Sequence, residues 1–292
     1  MSAILNDEQG MIQDIARKFA QARLAPKAAE REKAGRIEAD IINELGELGF
    51  LGMTVPIESG GAGADYVSYA LALMEIAGGD GAVSTMMSVH NAPFLAILQR
   101  FGSPEQKERW LEPAARGAFI GCFALTEPDT GSDAAAIKAT ARRSGDGYVI
   151  NGTKQFITSA RIGGATIVFA VTDAAAGKKG LSAFYVPQDT PGLTVGPPEH
   201  KMGQKASDTC PLTFDDVHVG RDALLGEEGQ GLAIALSSLE SGRIGIASQS
   251  VGMARAAFDY AARYALDRKT FGKALVEHQA VAFRLADMDM QL

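Results

Sequence analysis

Through roughly the first hundred residues, apolar positions recur at the spacing of a helix that buries one face. Met11, Ile12, Ile15 and Phe19 form one such stripe, and Asn6 followed by Gln9 makes a capping box ahead of it. Ile37, Ile41, Ile42, Leu45 and Leu48 repeat the pattern before Gly49. Val67, Leu71, Met74 and Ala77 repeat it before Gly78-Gly79. Ser103-Pro104 with Gln106 combines a cap, a first-turn proline and a capping-box glutamine, which predicts a helix running to Arg116.

The rhythm shortens near Gly121. Ser144-Gly145-Asp146-Gly147 and Asn151-Gly152 read as turns among strand-like runs, Tyr148 to Ile150 and Thr153 to Ile157. Ala165 to Val171, Leu181 to Val186 and Leu212 to Val219 are further runs rich in β-branched and aromatic residues. Pro187, Pro191, Pro197 and Pro198 interrupt the loops between them. After Gly229-Gln230-Gly231 the helical spacing returns, from Leu232 to Ala265. Gly272 separates it from a last helix starting near Glu277, with Val281, Leu285 and Met288. That helix meets no stop signal before Leu292, and a helix pair cannot bury its apolar face alone, so the chain is expected to be truncated inside a bundle.

The order helical, β, helical predicts an α+β multi-domain protein. Its parts are an N-terminal α-helical domain (1–120), a middle antiparallel β-barrel or sandwich domain (121–230) and the first two helices of an incomplete C-terminal helical bundle (231–292). A doubly wound parallel sheet would alternate strand and helix instead. Gly61-Ala62-Gly63, the nearest approach to a dinucleotide fingerprint, does not lead from a strand into a helix.

Composition removes several function classes. The 292 residues are 46% hydrophobic, which suits two or three packed units. A formal net charge of -7 argues against nucleic acid as a partner. No apolar run is long enough to span a bilayer, and the N-terminus has no basic stretch leading into an apolar core, so neither membrane insertion nor a signal peptide is expected. Cys122 and Cys210 lack a Cys-x-x-Cys partner, which fits two reduced, packed thiols. His90, His200, His218 and His278 show no metal-ligand spacing, so no metal is expected. Neither a Gly-x-Ser-x-Gly elbow nor a His-Glu-x-x-His pair occurs.

Three polar stretches are left to carry chemistry. Leu125-Thr126-Glu127-Pro128-Asp129-Thr130-Gly131-Ser132-Asp133 offers hydroxyls and a glycine that lets backbone approach a ligand, although such a stretch also makes an ordinary polar turn. Phe156-Ile157-Thr158 ends a predicted strand. Phe156 could lie against an aromatic ring, with Thr158 reaching the same ligand, or it could be a core residue. Arg268-Lys269-Thr270-Phe271-Gly272 could grip a diphosphate, with His278 and Gln279 on its polar edge, or could be a solvated basic helix end. Glu240 and Arg243 lie three apart on one helix, close enough for a surface ion pair.

Taken in order, these stretches resemble the acyl-CoA dehydrogenase family along essentially the whole chain. Thr126-Glu127-Pro128 with Gly131-Ser132-Asp133 looks like the family's first signature. Met202-Gly203, Ser207-Asp208-Thr209 and Phe214-Asp215-Asp216-Val217 look like its central β-domain motif. Arg268 to Gly272 with His278-Gln279 looks like its flavin-diphosphate grip. Gly242-Arg243-Ile244 with Gln249 is similar to the short-chain branch, whereas Ser207-Asp208-Thr209 and Val276 to Gln279 look more medium-chain.

The resemblance implies FAD as cofactor. Phe123, Leu125, Thr126, Gly131, Ser132, Phe156, Ile157 and Thr158 would line the flavin. Arg268, Thr270, Phe271, His278 and Gln279 would bind the FAD of a neighbouring subunit in a homo-oligomer, a dimer of dimers. Ser132, Glu240 and Arg243 would contact the acyl-CoA substrate. The implied reaction is α,β-dehydrogenation of a short- or medium-chain acyl-CoA, with electrons passed to an electron-transferring flavoprotein. The implied location is the cytoplasm, or the mitochondrial matrix for a mature eukaryotic form. Rival readings are an acyl-CoA oxidase or flavin monooxygenase on the same fold, and a non-catalytic CoA- or partner-binding module.

Three positions depart from the family pattern. Phe156 stands where tryptophan is more usual, and Thr130 where a smaller residue is. Gly242 occupies the position at which some members carry the catalytic glutamate. In most members that glutamate lies on a later segment, so here it is expected beyond Leu292 and the 292-residue chain is expected to be inactive by itself.

Overall fold

A computed structural model describes residues 5–292. The N-terminal region contains α1 (Asp7–Phe19), α2 (Ala28–Ala34), α3 (Ala39–Glu47), α4 (Tyr66–Gly79), α5 (Gly81–Val89), α6 (Ala96–Phe101), α7 (Pro104–Gln106) and α8 (Glu112–Ala115). Side chains set where these helices start. The Asn6–Gln9 capping box is formed, and Asp65 accepts from the Ser68 N–H at 2.7 Å to begin α4. Asp80 caps α5 through the Ala82 and Val83 N–H groups while holding the buried Arg31 guanidinium at 2.7 Å. The helix predicted from Ser103 is continuous from Pro104 to Ala115, through a wider π turn at Lys107–Leu111.

The middle region is one sheet built from β1 (Ile120–Ala124), β2 (Thr140–Ser144), β3 (Gly147–Thr158), β4 (Gly163–Val171), β5 (Leu181–Pro187), β6 (Leu193–Val195), β7 (Thr209–Gly220) and β8 (Leu224–Leu225). Its order is β6-β7-β3-β2-β4-β5-β8, with β1 alongside β4. Most pairs are antiparallel, as expected, while β1 and one residue pair of β2 run parallel to β4. The turn expected at Asn151-Gly152 is not a turn. The two short runs form the single strand β3, and Gly152 sits at a bulge with φ of 142°. A side chain there would meet the Ala139 Cβ at 2.6 Å, so glycine is what lets Ala139 pack against the bulge. A second bulge, between Lys154 and Ile157, frees Gln155 and Phe156 from the ladder.

The last region holds α9 (Gly231–Asp267), the two-residue strands β9 (Lys269–Thr270) and β10 (Lys273–Ala274), and α10 (Gln279–Gln291). The final helix begins two residues later than predicted, because Leu275–Glu277 winds as a tight turn first. Among the described residues there are three apolar cores: one among the N-terminal helices, one between helices and sheet, and one among the strands. Trp110 stacks on Tyr185 of β5 with ring centroids 4.0 Å apart, locking helix to sheet. Cys122 and Cys210 are free and buried, and burial pushes both thiols up, to about 12 and about 11. Among the described residues no helix is long and apolar enough to cross a membrane.

A candidate flavin and acyl-thioester cavity

A cavity of about 730 Å³ opens where α5, the end of β1, the end of β3 and the middle of α9 meet. Its volume falls in the usual range for a small-molecule or cofactor site. Phe123, Thr126, Phe156, Ile157 and Thr158 line its sheet side. Val89, Ala92 and Pro93 face them from the N-terminal region, and Gly242, Arg243, Ile246 and Ala247 from α9. Thr126 of the first polar stretch and Phe156 to Thr158 of the second therefore meet in one cavity.

Local structure explains how. The bulge in β3 turns Phe156 outward with a φ of 59°, a strained left-handed geometry for an aromatic residue, and leaves it 59% exposed at the cavity wall. Ser159 has a φ of 62°, so Thr158 lies between two residues of unusual geometry. Directly after Thr126 the chain makes a tight turn in which the Glu127 and Thr130 backbones bond reciprocally at 2.9 and 3.0 Å. The ordinary-turn reading of this stretch is thus right for Glu127 to Thr130, and only Thr126 of the turn region faces the cavity. Leu125 packs into the core beneath it, and Gly131 and Ser132 are exposed outside the lining.

The third stretch does not reach this cavity. Arg268, Phe271 and Gln279 are exposed, and the Thr270 hydroxyl bonds the His278 Nε2 at 3.1 Å across the small β9–β10 turn. Phe271 is 97% exposed. Glu240 and Arg243 also part company. Glu240 faces a separate cavity beside Tyr66, Gln99 and Arg100, while Arg243 faces this one, so they form no ion pair. Among the described residues no carboxylate lines the main cavity, and a side chain at Gly242 would meet only the Ala92 carbonyl, at 3.6 Å.

Sequence reasoning passed over what holds the turn in place. Lys154 is completely buried, and its ammonium donates to Glu127 Oε1 at 2.8 Å and to the Leu125 carbonyl at 3.1 Å. Glu127, 6% exposed, also accepts from the Lys138 and Ala139 N–H groups at 2.6 and 2.9 Å. Burial pulls the Lys154 pKa down to about 8 against the attraction of Glu127. The only linear signal was a lysine within an otherwise strand-like run, which reads as a solvated face.

Comparison with known proteins agrees with this architecture. The acyl-CoA dehydrogenase N-terminal, middle and C-terminal domain families match residues 6–118, 122–217 and 229–292. The chain belongs to the acyl-CoA dehydrogenase family. It is 46% identical to the mitochondrial short-chain specific acyl-CoA dehydrogenase of Bos taurus, over 100% of this chain and 71% of that protein. Two solved structures superpose with TM-scores of 0.97 at 40% identity, each covering 100% of this chain and 77% of the other. One is butyryl-CoA dehydrogenase from Megasphaera elsdenii. The other is described as the electron transferring flavoprotein of Acidaminococcus fermentans, towards a mechanism of flavin-based electron bifurcation.

Proposed function

We propose that this chain carries the FAD and acyl-CoA sites of an enzyme that dehydrogenates a short- or medium-chain acyl-CoA between its α and β carbons. The observation that carries the proposal is the meeting of two threonines, Thr126 and Thr158, with the aromatic walls Phe123 and Phe156 in one cavity. Neither threonine hydroxyl has a protein hydrogen-bond partner among the described residues, and the Thr126 N–H has none either. Free donors beside an apolar wall suit the polar edge and flat face of an isoalloxazine. When bound, the flavin supplies hydride-accepting chemistry.

The remaining lining suits an acyl thioester. Val89, Ala92, Pro93, Ile246 and Ala247 make an apolar end for the acyl chain. Arg243, an exposed residue of the lining, can take an anionic group of CoA, with the exposed Ser132 outside the lining as a further polar contact. A carboxylate must remove the α-proton, and the cavity lining described above supplies none. Arg268, Thr270, Phe271, His278 and Gln279 lie off this cavity, which suits contact with the FAD of a second copy in a dimer of dimers. The likeness to the Acidaminococcus structure supports an electron-transferring flavoprotein as the next acceptor.

The test is reconstitution. Offered FAD, the protein is expected to hold it and become yellow, and butyryl-CoA is expected to perturb the flavin spectrum. Arg243→Gln should weaken binding of the CoA ester about tenfold or more with flavin content unchanged, the loss of a charge-assisted contact. A protein that takes up no FAD overturns the reading.

A further inference from the structure

The peptide between Leu125 and Thr126 is held in an unusual way. Its carbonyl accepts from the buried Lys154 ammonium at 3.1 Å, while its N–H, on Thr126 in the cavity lining, has no protein partner among the described residues. The next carbonyl, that of Thr126, is taken by the Gln155 N–H at 2.8 Å. The following side chain, Glu127, is fixed by three donors: Lys154, Lys138 N and Ala139 N. Every anchor thus comes either from β3 or from the segment leading into β2, and none of them is in the cavity lining.

Hydrogen bonds in a low-dielectric interior polarise one another along a chain. A cation on the oxygen of a peptide draws electron density from its nitrogen and strengthens the N–H as a donor. We propose that the buried Lys154–Glu127 pair positions and polarises the Leu125–Thr126 peptide, making the Thr126 N–H a strengthened donor to an electron-rich edge of the bound flavin. The proposal rests on the flavin reading above. Lys154 touches no cavity atom itself, since it is absent from the lining, so it is a positioning residue. The pair is costly to build, because both charges leave water, and in return it satisfies the Leu125 carbonyl and the Lys138 and Ala139 N–H groups. A neutral donor could satisfy the Leu125 carbonyl as well, so a full charge at that oxygen fits a role in setting donor strength.

The experiment compares wild type with the double variant Glu127→Gln/Lys154→Met, which removes both charges and leaves none unpaired. Thermal melting follows the fold, and titration follows FAD affinity. The double variant is expected to melt cooperatively but below wild type, because methionine cannot bond the Leu125 carbonyl, with an FAD dissociation constant raised tenfold or more and a shifted flavin absorption maximum. A folded double variant whose FAD affinity stays within about twofold of wild type, with an unchanged spectrum, overturns the proposal. A second measurement needs no variant: the Thr126 amide in ¹⁵N-labelled wild type should shift and exchange more slowly when FAD binds. An amide unmoved by FAD overturns the proposal even if the double variant does not fold. Wild type that binds no FAD at all defeats the flavin reading itself, a result distinct from either of these.

Discussion

His90 is a residue whose chemistry is set wholly by its surroundings. Its Nδ1 accepts from the Gly121 N–H at 2.9 Å, so its Nε2 carries the proton and donates to the Ala114 carbonyl at 3.0 Å. Both ring nitrogens are used, and burial pulls the pKa down to about 4. An unfolded histidine titrates near 6.5. Above that pH both states are neutral at this site and stability is unaffected. As pH falls from about 6.5 to about 4, the unfolded chain binds a proton that the folded chain refuses, so stability drops by up to about 3 kcal/mol. Urea midpoints at pH 7 and pH 4.5 should show this loss in wild type and a smaller one in His90→Gln. Equal slopes in the two proteins would place the acid sensitivity elsewhere.

The long helix α9 contacts α4 with backbone almost touching backbone. A methyl group on Gly252 would come within 2.2 Å of the Met74 carbonyl oxygen and 2.8 Å of its carbon. The opposing Gly78 is different: a methyl there meets the Gly252 oxygen at 3.6 Å and the Ala256 Cβ at 3.8 Å, ordinary contacts. Gly252→Ala should therefore force the helices apart and cost about 1–3 kcal/mol. Gly78→Ala should be neutral or stabilising by up to about 1 kcal/mol, because alanine is the better helix former. Denaturant titration of both variants checks the contrast, and a Gly252→Ala protein as stable as wild type would contradict the close crossing. This spacing also bears on the site, since the next turns of α9 toward its start carry Ala247, Ile246 and Arg243 to the cavity.

The whole molecule is tied by polar clamps that span its regions. Glu75, buried on α4, accepts from Gln13 and Arg17 of α1 and from Arg255 of α9, with Gln13 at 2.9 Å and both guanidinium groups within 3.1 Å. Gln249 of α9 donates to the Gly81 carbonyl and the Ser84 hydroxyl of α5. Thr85 of α5 bonds Gln204 from the loop before β7, so helices and sheet share one network. Both arginines at Glu75 keep about two-fifths of their side-chain surface in water, which screens the pairs. Glu75→Gln should then cost only about 1 kcal/mol, with the difference from wild type shrinking as salt rises. Unfolding midpoints at low and high ionic strength measure it, and a salt-independent difference would mean that packing rather than charge is at stake.

Helix starts were readable from linear spacing because a cap acts within one turn: the capping boxes of Asn6–Gln9 and Ser103–Gln106 close through bonds between residues three apart. The identity of the cavity threonines was readable too, through the order of the polar stretches. Asn151-Gly152 misled because the dipeptide fits a turn as well as a bulge, and only the approach of Ala139 from elsewhere in the chain selects the bulge. Likewise nothing near Lys154 in sequence reveals that its ammonium is buried against Glu127, twenty-seven positions away. Nor does spacing along α9 reveal that Glu240 and Arg243 serve different cavities. Short-range hydrogen bonding and periodicity are properties of neighbours along the chain, whereas desolvation and side-chain direction depend on what the completed fold packs against each residue.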